Sequence, residues 1–146
     1  MGNFFRKIRR ILFYNDFVMF LRNAWAFRRE LADFRVFDYH YNLSIFCRSL
    51  ELTKEFLESD KTTSEGTEEN AEQIEQFLKD IHRFEHSLEY AEAELGEEFP
   101  HDCFLNRSDE KDAKIKLFID KTQEVERTSW NRAMDNLRDN LPGWWD

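Results

Sequence analysis

At 146 residues the chain is one domain's worth of protein, and 41% hydrophobic with 16% aromatic residues argues against disorder despite 35% charged residues. The net charge of −9 excludes a general role on double-stranded DNA, because most of the surface would repel phosphate. No uncharged apolar stretch reaches the length of about 18 residues that a membrane span requires.

The four glycines (Gly2, Gly66, Gly96, Gly143) and two prolines (Pro100, Pro142) fall at ends or between periodic segments, as expected where long helices are separated by breaks. A first helix is predicted over about residues 3–13, with Phe4, Ile8, Ile11 and Leu12 on one face. A second is predicted over about 16–34 from an Asn15 cap, with Phe17, Phe20, Leu21, Ala24, Phe27 and Leu31 at three- and four-residue spacing. A third runs from an Asp38 cap to about Glu58, its wide stripe of Tyr39, Leu43, Phe46, Leu50 and Leu57 suggesting contact from two sides.

After a polar loop over 59–67, a fourth helix is expected as one piece over about 68–95, with Ala71, Ile74, Leu78, Ile81, Leu88, Ala91 and Leu95 on its stripe and Phe77 and Phe84 beside it. The last helix is expected over about 109–141, carrying Ile115, Phe118, Ile119, Val125, Trp130, Met134, Leu137 and Leu141. Pro142-Gly143 stops it and leaves Trp144-Trp145-Asp146 as a tail. The predicted fold is therefore all-α, a single helical bundle over 1–146 of four to five helices with long antiparallel helices in its second half. Exposed indoles at a chain end are unfavourable, so Trp144 and Trp145 are expected to dock in their own chain or in a neighbour, the latter favouring a homo-oligomer.

Charge divides the chain unequally. Residues 1–48 hold nine Lys/Arg against four acids, a net +5, and the remainder holds 12 against 26, a net −14. The two parts would either neutralise each other or leave an anion site in the basic part. Residues 6–10 are basic and 11–21 mostly apolar, but Asn15 and Asp16 interrupt the run and Trp25 sits inside the small-residue triplet 24–26, so no secretory signal is expected. Arg6 stands where a myristoylation motif takes Ser or Thr. Phe4, Phe5, Ile8 and Ile11 among arginines offer two readings, packing onto the core or lying on an anionic membrane surface. Cys47 and Cys103 do not make a disulfide framework and read as two buried thiols.

The catalytic patterns are thin. His82-Arg83-Phe84-Glu85-His86 fits the H-x-x-E-H pattern of inverted zinc proteases, but both imidazoles lie off the apolar stripe and no further acidic ligand can be placed. Lys79 and Arg83 occupy the positions where di-iron bundles need Glu. No phosphate-binding glycine loop, nucleophile elbow or C-x-x-C pair is present. Neither enzyme activity, cofactor nor metal is expected.

The constellation with chemical content is basic and aromatic: Trp25, Phe27, Arg28, Arg29, Arg35, Phe37, Tyr39, His40 and Tyr41. Guanidinium forks bind phosphate bidentately and flat rings stack on bases, which is what a site for a small anionic nucleotide needs. The bland alternative is a helix junction whose arginines pair with acidic helices.

Asp38-Tyr39-His40-Tyr41 at a helix start, a long acidic second half and a Gly143-Trp144-Trp145-Asp146 end resemble small uncharacterised bacteriophage proteins, with Phe37 in place of a Trp. The resemblance covers most of the chain in layout and implies origin more than mechanism. It implies a phage accessory protein in the cytoplasm of an infected bacterium, where such proteins commonly block host defences. Two functions are then expected. One is a non-enzymatic, oligomeric sponge for a nucleotide signal, with Arg28, Arg29, Arg35 and His40 on phosphate and Trp25, Tyr39 and Tyr41 stacking. The other is an acidic helical module that inhibits a host protein.

Overall fold

A computed structural model describes residues 15, 17–32, 39–59, 66–100 and 108–144. The protein is all-α, with no strand among the described residues. The elements are α1 (17–26), α2 (Arg28–Ala32), α3 (Tyr39–Leu57), α4 (Thr67–Glu85), α5 (Ser87–Leu95), α6 (Asp109–Asn140) and a 3-10 turn over Leu141–Trp144. The helix predicted over 3–13, the Asp38 cap, Cys103 and Trp145 lie outside the described residues. No described helix is long and apolar enough to cross a membrane.

The chain divides into two compact units, Met1–Ser49 and Leu50–Asp146. In the first, Phe27 interrupts the helix between α1 and α2, although its amide still donates to the Asn23 carbonyl at 3.0 Å and Leu31 N–H to the Phe27 carbonyl at 2.9 Å. Arg48 Nε donates to the Ala26 carbonyl at 3.3 Å, tying α3 to the end of α1. Cys47 is half-buried in α3.

The second unit holds a three-helix core in which the long α6 packs against α4 and α5. Ser108 caps α6, its side chain accepting from Lys111 N–H at 3.2 Å, and Asp109, Glu110 and Asp112 in the first turn suit the positive end of the helix dipole. Ala71, Ile74, Phe77 and Ile81 of α4, Ala91 of α5, and Phe118, Val125 and Ala133 of α6 are buried together with Leu50 and Trp144. Phe99 meets Phe118 edge-on at 5.7 Å, and Phe84 meets Trp130 at 5.1 Å. Phe77 is therefore a centre of the core, where the sequence had placed it beside the stripe.

The helix expected over 68–95 is two helices. His86, at φ −108° and ψ 31°, breaks it, although its amide still donates to the His82 carbonyl at 3.0 Å. Past the break the buried face falls on Ser87 and Ala91, and Leu88 of the predicted stripe is turned outward. The small pair lets α5 lie close against α6, and Ser87 Oγ donates to Glu126 Oε1 of α6 at 3.2 Å. A single carboxylate, Glu94 of α5, pairs with Arg83 of α4 and, at 2.8 Å, with Lys121 of α6, so all three helices meet at it. These cations, Lys121 foremost, hold the Glu94 carboxyl below its ordinary range.

Candidate functional site

The basic aromatic residues of the first unit form two local pairs. Trp25 stands 70% exposed near the end of α1, its neighbours Ala24, Ala26 and Phe27 half-buried. Arg28, three residues on, donates from Nη1 to the Trp25 carbonyl at 2.8 Å and lays its guanidinium 4.5 Å from the centroid of the indole. The interruption at Phe27 lies between the two residues. Backbone hydrogen bond and cation–π contact together hold this cation against a solvent-facing ring. Arg29 follows, also exposed.

The second pair opens α3. Tyr39 and His40 stack with ring centroids 4.1 Å apart and planes 29° from parallel, and both are exposed. Ser44 Oγ donates to the His40 carbonyl at 2.8 Å. Tyr41 is half-buried. The two pairs flank segment 33–38, which contains Arg35 and lies outside the described residues. Residue types were legible in the sequence, but the specific partnership of Trp25 with Arg28 was not, since a three-residue spacing only permits it.

Trp144 is not part of a free tail. The 3-10 turn brings its indole back onto α4, where it is 2% exposed and meets Phe77 edge-on at 6.1 Å. Its docking place is therefore in its own chain.

The H-x-x-E-H segment straddles the break between α4 and α5. His82 and His86 stack face to face, centroids 4.4 Å apart and planes 24° from parallel. His86 Nδ1 lies 3.2 Å from Glu89 Oε1, and Tyr90 Oη lies 3.4 Å from His82 Nδ1. Among the described residues no three His, Cys, Asp or Glu side chains converge as metal ligands would. The residues form a surface cluster with Arg83, whose guanidinium sits 5.1 Å from the Tyr90 ring centroid.

No family model matches the chain, and no curated protein or solved structure matches it either.

Proposed function

We propose that the protein is a non-enzymatic binding protein that captures a small anionic nucleotide on the basic aromatic surface of its first unit. The observation that carries this is the Trp25–Arg28 pair, a cation fixed over an exposed indole. A flat base can stack on such a platform while the neighbouring Arg29 and the Arg35 of the adjoining segment neutralise phosphate. Tyr39 and His40 supply a second exposed stack, with Tyr41 beside them. Together with the likeness to bacteriophage proteins, this favours a counter-defence sponge that removes a nucleotide signal. Native mass spectrometry of protein recovered from infected bacteria tests it: retained small-molecule mass that Trp25→Ala and Arg28→Ala abolish, with helical circular dichroism unchanged, is the expected result. Calorimetry showing no heat with cyclic or linear nucleotides, and an unliganded mass, overturns it.

A second reading rests on the net −14 of the remainder of the chain, which suits an acidic module occluding a basic host protein. Under that reading, a pulled-down partner is lost at high salt and unaffected by Arg28→Ala.

A further inference from the structure

The least expected feature of the first unit is the start of α1. Phe17, Val18, Met19, Phe20 and Leu21 are consecutive, helical and all at least two-fifths exposed, Phe20 reaching 64%. Successive helical residues are about 100° apart, so five in a row cover the whole circumference. A turn of helix that is apolar on every side is better matched by an apolar medium than by one flat contact.

We infer that this segment inserts shallowly into an anionic lipid surface. Two observations select lipid over a second copy of the chain. A partner protein presents one face and covers one side of a helix, whereas acyl chains close around all sides. The unit carrying the segment has a net charge of +5, so two copies brought together here would confront like charge, while anionic headgroups would complement it.

The flanking chemistry agrees with that placement. Arg22 follows the apolar run directly, and exposed Arg29 lies about two turns further on, at headgroup reach for a long cationic side chain. In sequence, Asn15 and Asp16 separate the run from apolar Ile11-Leu12-Phe13-Tyr14 and the basic cluster Arg6, Lys7, Arg9 and Arg10. No described helix is long and apolar enough to cross a membrane. Phe17 and Phe20 play no part in the nucleotide reading, so the two proposals fail separately.

The test is flotation of the full chain with phosphatidylcholine vesicles and with vesicles of equal parts phosphatidylcholine and phosphatidylserine. Binding to the phosphatidylserine vesicles alone is expected, with about a tenfold loss for Arg22→Glu. The double variant Phe17→Ser/Phe20→Ser should abolish binding. Circular dichroism monitors the fold of both variants, and Arg22→Glu decides the matter if the double variant does not fold. Chain that stays with the soluble fraction in both vesicle preparations overturns the inference. So does a dimer by light scattering that Phe17→Ser/Phe20→Ser converts to monomer without any vesicle binding in the parent chain.

Discussion

The indole of Trp144 donates from Nε1 to Gln73 Oε1 at 3.1 Å, closing the final turn of the chain onto α4. Two further bonds fix the same corner: Asn70 Nδ2 donates to the Gly143 carbonyl and Asn136 Nδ2 to the Gln73 carbonyl, both at 2.9 Å. Trp144, the last residue described, is thus part of the core and the largest of its fully buried side chains.

Removing that side chain leaves a hole against Phe77 and strands the Gln73 acceptor. Trp144→Ala is expected to cost about 3–5 kcal/mol in denaturant unfolding. Trp144→Phe keeps most of the packing and loses the N–H, so about 1–3 kcal/mol is expected. Equal, negligible losses in both variants would show that the turn does not dock.

Ser129 of α6 is 1% exposed, and its Oγ has no hydrogen-bond partner among the described residues. A buried hydroxyl without a partner carries its desolvation cost uncompensated, and Ala is the better helix former. Ser129→Ala is expected to raise stability by about 1 kcal/mol, a rise of roughly 3 °C in Tm by calorimetry. A fall in Tm would mean the hydroxyl is satisfied.

How far these details could be read in advance varies with the physics behind them. The all-α class was legible because the apolar spacing is helical throughout and the Gly and Pro residues fall between segments. The break at His86 was not legible, since no Gly or Pro marks it and the residues buried beyond it are small, Ser87 and Ala91. Phe27 hid its interruption in the same way. The sequence requires a home for Trp144, but its partner Gln73 is a polar residue on a distant helix, and no local pattern announces it. For the site, residue types were visible and geometry was not: three-residue spacing allows Arg28 to reach Trp25, and only the structure shows the guanidinium over the ring.

Gly96 ends α5 at φ +69°, with its amide donating to the Glu92 carbonyl at 2.9 Å. A Cβ there would meet nothing within 4 Å, so any cost of Gly96→Ala is conformational. The left-handed backbone is unfavourable for Ala, and a loss of about 1–2 kcal/mol in thermal or urea unfolding is expected. No loss would indicate that the turn relaxes into another conformation.

Glu75 of α4 sits between two ammonium groups, Lys79 on its own helix and Lys54 near the end of α3, the latter at 3.0 Å. Hydrogen bonds from Lys79 and then Lys54 lower its carboxyl from the ordinary 4.5 to about 2. A depressed carboxyl binds protons more readily in the unfolded chain. The stability it contributes is therefore fully present above pH 4.5 and is lost as pH falls toward 2. Glu75→Gln should remove part of the acid sensitivity in that window and lower stability slightly at neutral pH, because the pair is exposed to solvent. Unfolding followed from neutral pH downward checks it: parent and variant curves should converge below pH 4.5. Curves that stay parallel through that window would show that this carboxylate does not contribute to acid denaturation.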